Sequence, residues 1–212
     1  MIDIDEWLKV FASEAEQEFP SRVWFMGLQG SYARGEAKDT SDIDVVLILD
    51  EFTPEDLRKY RHMLDTLPER EKICGFVSGR DELLNWEASE LFQFCNDTVP
   101  IKGSLDEVLA RVDAEAVKRA VKAGACGIYH ACVHNFLHER DAETLKGLYK
   151  SAVFVLQAVY FMRTGRYIRK HRELLSAVTP DERRIITPEA SGFDELSVRL
   201  FTWAGKVIRD EA

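Results

Sequence analysis

The sequence predicts an α/β (α+β) domain with a small mixed sheet, followed by an all-α helical bundle, and three observations carry that expectation. Short apolar runs, Val23 to Leu28, Val45 to Leu49 and Lys72 to Ser78, alternate with helical segments over the first hundred residues. From Ser104 onward long stretches of helical period take over. The charge also divides unevenly: residues 1–103 hold 11 Lys and Arg against 22 Asp and Glu, whereas residues 104–212 hold 17 against 15. The boundary is placed near Gly103, giving domains of 1–103 and 104–212.

The elements of the first domain follow in order. A helix is predicted from Ile4 to Glu18, where Trp7, Leu8, Phe11, Ala15 and Phe19 recur at helical spacing and Pro20-Ser21 ends the run. Val23 to Leu28 is the first strand and Asp42 to Leu49 the second. Thr53 as N-cap and Pro54 at the first helical position start a helix carrying Leu57, Tyr60, Met63, Leu64 and Leu67 as far as Pro68. Lys72 to Ser78 is the third strand, closed by Gly79. Short helices around Leu83–Trp86 and Glu87–Phe94 precede an extended piece, Thr98 to Gly103, whose proline suits an edge strand.

In the second domain Ser104-Leu-Asp-Glu107 reads as a capping box. Helices are predicted over Leu105–Lys122, Cys126–Arg140, Ala142–Thr164, Glu173–Ala177, Pro180–Ala190 and Phe193–Arg209, punctuated by Gly124, Gly165 and Pro180.

Composition bounds the function. At 212 residues, with 46% hydrophobic and 31% charged residues, the chain can bury one good core or two small ones. No stretch approaches the ~20 apolar residues of a membrane span. The acidic start, Met1 to Trp7, lacks the basic region and apolar core of a signal peptide. Cys74, Cys95, Cys126 and Cys132 show no Cys-x-x-Cys spacing, so reduced thiols in a cytoplasmic protein are expected. The formal charge of −9 is concentrated in the first half. That half is a poor surface for nucleic acid and a favourable field for a cationic partner.

The chemistry is concentrated between residues 28 and 49. Gly30-Ser31, directly after the first strand, lets backbone N–H groups approach a phosphate, and the serine hydroxyl adds a donor. Asp42 and Asp44 open the second strand, where residues i and i+2 share a side and lie about 7 Å apart along the chain. Hard divalent cations such as Mg²⁺ are held by one or two carboxylates plus substrate phosphates. The pattern points to metal-assisted attack on a nucleoside triphosphate.

The stretch Leu28-Gln-Gly-Ser-Tyr-Ala-Arg-Gly-Glu-Ala-Lys-Asp-Thr-Ser-Asp-Ile-Asp44 resembles the signature of the DNA polymerase β nucleotidyltransferase superfamily, through Gly30, Ser31, Arg34, Gly35, Ser41, Asp42 and Asp44. It is most similar there to the minimal nucleotidyltransferases and the aminoglycoside and lincosamide nucleotidyltransferases. Thr164 to Leu175 resembles the helical substrate-binding bundle fused behind such domains, related to the kanamycin nucleotidyltransferase C-terminal domain and the HEPN group. The resemblance implies an active site in a cleft between the domains. There Asp42 and Asp44 hold Mg²⁺, Gly30 and Ser31 cradle the β- and γ-phosphates of ATP or another triphosphate, and Arg34 assists. It implies AMP transfer to a hydroxyl of an aminoglycoside-like small molecule with release of pyrophosphate, and by analogy a homodimer. Alternatives are an antitoxin-type enzyme that transfers AMP to protein, a nucleotide-binding module with weak chemistry, and a HEPN-type ribonuclease using Arg166 and His171.

One departure is visible. The superfamily usually places a third carboxylate on the strand after the Asp-x-Asp strand, and Lys72 to Ser78 holds none. Glu71, Asp81, Glu87, Glu90 and Asp97 are the candidates, or a residue of the helical domain. Arg166 and Lys170, in the basic run 163–172, are expected to bind nucleotide, sharing a helix face if the helix continues past Gly165. His130, His134 and His138 recur at i, i+4, i+8 and form a stripe that could bind zinc, from which Glu139 faces away. Trp86 is the foremost candidate for stacking on a base or an acceptor.

Overall fold

A computed structural model describes residues 2–189 and 192–210. The chain divides into two compact units, Met1–Glu87 with Phe94–Arg111, and Ala88–Gln93 with Val112–Ala212.

The first unit opens with α1 (Ile4–Glu18), capped by the Asp3 side chain. Strand β1 (Val23–Leu28) follows, then the short helix α2 (Gly30–Arg34), strand β2 (Ile43–Leu49) and α3 (Pro54–Thr66). A 3₁₀ turn (Arg70–Lys72) leads into β3 (Ile73–Gly79) and α4 (Arg80–Leu84). Helix α5 (Ala88–Asp97), whose residues Ala88–Gln93 belong to the second unit, strand β4 (Val99–Lys102) and the single turn α6 (Asp106–Leu109) complete the order. The sheet runs β3-β2-β1-β4. It is mixed as expected, with β1 antiparallel to β2 and β4, and β2 parallel to β3.

Period two sorts the side chains of β2. Ile43, Val45, Leu47 and Leu49 form one cluster with Trp7 and Phe11 of α1, Phe19 at its C-cap, and Tyr60 and Met63 of α3. The opposite face carries Asp44, Val46 and Ile48, and the last two are fully buried. Each such side chain withdrawn from water is worth roughly 1.5–3 kcal/mol, so the register that puts Asp44 on this face is held by six aliphatic neighbours on its own strand. A slip of one residue would invert them all.

The second unit is helical. Helix α7 runs from Ala114 to His134, capped by Asp113, and passes into a π-turn over Asn135–Glu139. Helix α8 (Ala142–Thr164) ends at Gly165, which adopts φ 71°. Helices α9 (His171–Ala177), α10 (Pro180–Ile186) and α11 (Phe193–Asp210) follow. Val117, Val121, Ala125, Ile128 and Cys132 form the apolar stripe of α7. It packs in one core with Leu145, Tyr149 and Ala152 of α8 and with Leu200, Ala204 and Val207 of α11. No described helix is long and apolar enough to cross a membrane.

Three expectations fail here. The predicted helices Leu105–Lys122 and Cys126–Arg140 are one turn, a break and one long helix that passes through Gly124. A Cβ at Gly124 would lie 2.6 Å from Val155 Cγ2, so glycine here allows α7 and α8 to approach closely rather than ending a helix. Ser104 and Glu107 form no capping box: α6 starts after Leu105, and Glu107 instead binds Arg80 Nη2 at 2.9 Å. Helix α10 stops at Ile186, and the expected end at Ala190 lies outside the described residues.

Candidate active site

The acid pair is built by the turn that joins β1 to β2. After Leu28 the Gln29 N–H donates to the Asp44 carbonyl at 2.7 Å, which ties the turn to β2. The Gln29 side-chain amide donates to Thr98 Oγ1 at 2.7 Å. Gly30 then takes φ 68°, and a Cβ built there would lie 1.8 Å from Asp44 Oδ2. Glycine is thus required twice, for the left-handed backbone and for the carboxylate that occupies the side-chain position. Ser31 follows in α2, whose first turn receives no side-chain cap, leaving backbone N–H groups without intrahelical partners. Gly35, at φ 68°, closes α2. Farther on, the Ser41 hydroxyl accepts from the Lys38 N–H at 2.9 Å and shapes the turn that delivers Asp42.

Asp42 is exposed and Asp44 half-buried. Loss of solvent, and then the negative charge of Asp42, push the Asp44 carboxyl above its ordinary value, while Arg34 pulls it back. Arg34 is largely buried and paired with Glu36 at 3.3 Å, so its charge bears on Asp44 from a fixed position. Two like charges sharing a partly dry site are eased by a cation between them. The donor set is hard oxygen, as Mg²⁺ requires, and the missing side chain of Gly30 leaves room for the Asp44 carboxylate. The residues present fit a divalent cation.

The sequence did not show what stands beside the pair. In the parallel register Asp44 is opposite Cys74, an exposed free thiol. None of the five candidate acids completes a metal cluster: among the described residues no group of three His, Cys, Asp or Glu side chains could hold a metal ion. Glu71 lies in the 3₁₀ turn before β3, Asp81 in the first turn of α4, Glu90 in α5, and Asp97 is buried at the end of α5. Phe76 pairs with Val46 and so shares the sheet face of Asp44. Its ring meets Trp86 edge-on at 5.7 Å and Phe94 at 5.1 Å, and Trp86 remains 46% exposed.

Arg166 and Lys170 belong to the helical unit. The helix does not continue past Gly165, so they share no helix face. They lie instead on the extended link to α9, where Lys170 is the N-cap. That link is pinned from below by Gln157, fully buried in α8, whose amide donates to the carbonyls of Ile168 at 2.9 Å and Arg169 at 3.1 Å. His171 opens α9 with its ring 6.3 Å from Phe154 and its Nε2 buried.

The histidine stripe is also altered. The π-turn brings residue i+5 beneath residue i, so Glu139 Oε1 lies 3.4 Å from His134 Nε2 rather than facing away. The His134 and His138 rings are 5.0 Å apart. These groups do not make up a three-ligand metal site.

Gly30→Ala should cost about 1–2 kcal/mol through the left-handed backbone alone. By displacing the Asp44 carboxylate it should also lower nucleotide transfer by roughly 100-fold, the penalty for a misplacement of about an ångström. Thermal denaturation beside a transfer assay separates the two effects.

A small mixed sheet whose central strand opens on two acids beside a Gly-Ser turn, with a helical unit after it, is the architecture of the polymerase β-like nucleotidyltransferase superfamily. Residues 8–116 match the model of the nucleotidyltransferase domain family, and the chain belongs to that family. No curated protein matches the sequence. Among solved structures, the spectinomycin adenyltransferase AAD(9) from Enterococcus faecialis, determined with ATP and spectinomycin, is similar with a TM-score of 0.61 and 13% identity, over 95% of this chain and 98% of that one. At that identity the likeness is one of fold.

Proposed function

We propose that the chain transfers AMP from ATP to a hydroxyl of a cationic small molecule of the aminoglycoside or aminocyclitol kind. The observation that carries this is the pair Asp42 and Asp44, one exposed and one half-buried, set against the side-chain-free Gly30. Membership in the nucleotidyltransferase family supports monophosphate transfer. The acidic first half, and a fold shared with an adenyltransferase solved with ATP and spectinomycin, support the donor and the acceptor class.

Asp42 and Asp44 would hold Mg²⁺, which supplies charge neutralisation on the triphosphate and polarises the α-phosphorus. The Gly30-Ser31 turn offers backbone N–H groups and a hydroxyl to the outer phosphates, and Arg34 adds fixed positive charge. Arg166 and Lys170 are assigned to phosphate by their charge, and Trp86 to stacking on a ring. The acceptor oxygen attacks the α-phosphorus, the bond to the bridging oxygen of the β-phosphate breaks, pyrophosphate leaves, and the hydroxyl proton passes to solvent. Among the described residues no third His, Cys, Asp or Glu side chain completes a metal group with the pair; in-line positioning and charge neutralisation are the contributions assigned to the residues above. The same observation favours, as second reading, a nucleotide-binding module with slow chemistry.

The test is an acceptor screen with α-³²P-labelled ATP, GTP, CTP and UTP against aminoglycosides, spectinomycin, lincosamides and protein acceptors. Label is expected to pass from ATP to a cationic small molecule. Magnesium-dependent ATP binding with no acceptor labelled would establish the second reading; label on protein alone would overturn the acceptor class.

A further inference from the structure

The helical unit holds a cavity of about 340 Å³ walled by the end of α8, by α10 and by α11. It shares no residue with the sites described above. Arg199, Trp203 and Lys206 stand at i, i+4 and i+7 on α11 and so form one stripe of that helix, and Arg184 of α10 joins them in the lining.

The charges in this cavity do not cancel. It is lined by four cationic side chains and two carboxylates, in a chain whose formal charge is −9. The Glu182 carboxylate is committed on both oxygens, to Arg163 Nη1 at 2.7 Å and to Thr179 in the capping box of α10. Asp181 is exposed and stands 3.9 Å from Arg184. Arg199 has its Nη2 on Glu195 at 3.0 Å, but its Nη1 is buried and finds no hydrogen-bond acceptor among the described residues. The side chain is 18% exposed. Lys206 has no ion pair among the described residues.

Arg184, Arg199 and Lys206 around one cavity suit a multiply charged oxyanion, which a phosphate supplies with geometry suited to arginine. The indole of Trp203 adds a flat wall on which a heterocyclic base can stack. The volume is at the lower end of the range for small-molecule sites. We propose that this cavity binds a nucleoside monophosphate, phosphate toward Arg184, Arg199 and Lys206 and base against Trp203, independently of the acid pair on β2.

The experiment uses the full chain in EDTA, which silences metal-dependent binding at Asp42 and Asp44, with AMP, adenosine and inorganic phosphate as probes followed by calorimetry and tryptophan fluorescence. AMP should bind saturably, with adenosine and phosphate each about tenfold weaker or more, since each keeps half of the recognition. Arg184→Ala and Lys206→Ala lie on exposed positions and should each weaken AMP binding at least about threefold. Trp203→Phe should remove the fluorescence response. No AMP binding up to about 10 mM, or binding unchanged in the Arg184→Ala/Lys206→Ala double variant, would overturn the proposal. Phosphate binding as tightly as AMP would overturn the assignment to a nucleoside.

Discussion

Asp44→Asn is expected to lower nucleotide transfer by about 10³-fold or more while leaving the metal-free protein at least as stable as the parent. The substitution keeps the shape of the side chain and removes one formal charge from the cation site. A clamp on the transferring phosphoryl group contributes several kcal/mol to transition-state stabilisation, and about 4 kcal/mol corresponds to a factor of ~10³. The stability half of the prediction comes from the same burial. Asp44 is half-buried, and loss of solvent together with the charge of Asp42 already disfavours its ionised form. A neutral amide relieves both effects. A gain of about 1 kcal/mol would raise the midpoint by roughly 2–4 °C for a chain of this size, the exchange of activity for stability common at functional sites. Labelled-ATP transfer and thermal denaturation in EDTA measure the two parts. Transfer retained within about tenfold would remove Asp44 from the cation site.

What the sequence made legible was local. The Gly30-Ser31 turn and the two acids lie within fifteen residues, and each residue type has a reason that needs no tertiary contact: freedom at positive φ, or two carboxylates on one side of a strand. The helices α1 and α3 carried their own punctuation in Pro20 and in Thr53-Pro54. What escaped was set by partners distant in the chain. Cys74 faces Asp44 only because β3 pairs with β2 in one particular parallel register. Gly124 reads as a breaker, at about 1 kcal/mol against a helix, yet the close approach of Val155 requires it there. Glu139 left the face expected of it because the end of α7 widens into a π-turn, and a 3.6-residue period cannot show that. A shared face for Arg166 and Lys170 required the helix to run past Gly165, and it ends there.

The largest stability effect is expected at Asp56, a residue with no part in the proposed chemistry. Its carboxylate accepts from Arg22 Nη1 at 2.8 Å and Nη2 at 3.0 Å, and from Thr53 N at 2.9 Å and Oγ1 at 2.7 Å. Arg22 also reaches the Glu51 carbonyl at 2.8 Å, so a single acid holds the approach to β1, the exit of β2 and the start of α3. Asp56→Ala removes a capping box worth ~1 kcal/mol and breaks an ion pair whose acid is almost fully buried. Breaking a fully buried pair costs ~3–5 kcal/mol, less here because Arg22 is 32% exposed and can turn to water. A loss of about 3 kcal/mol is expected, a fall of roughly 10 °C in midpoint at 2–4 °C per kcal/mol. The sign with pH follows from Arg22, which holds the Asp56 carboxyl well below its ordinary value. An acid with a depressed folded-state pKa stabilises fully above its unfolded value, near pH 4, and loses that contribution as pH falls through the folded value. The gap between parent and Asp56→Asn should therefore be constant from about pH 5 to 8 and close steadily below about pH 4. Urea denaturation at several pH values reads it directly. A gap undiminished near pH 2 would place the stabilisation somewhere other than in the carboxylate charge.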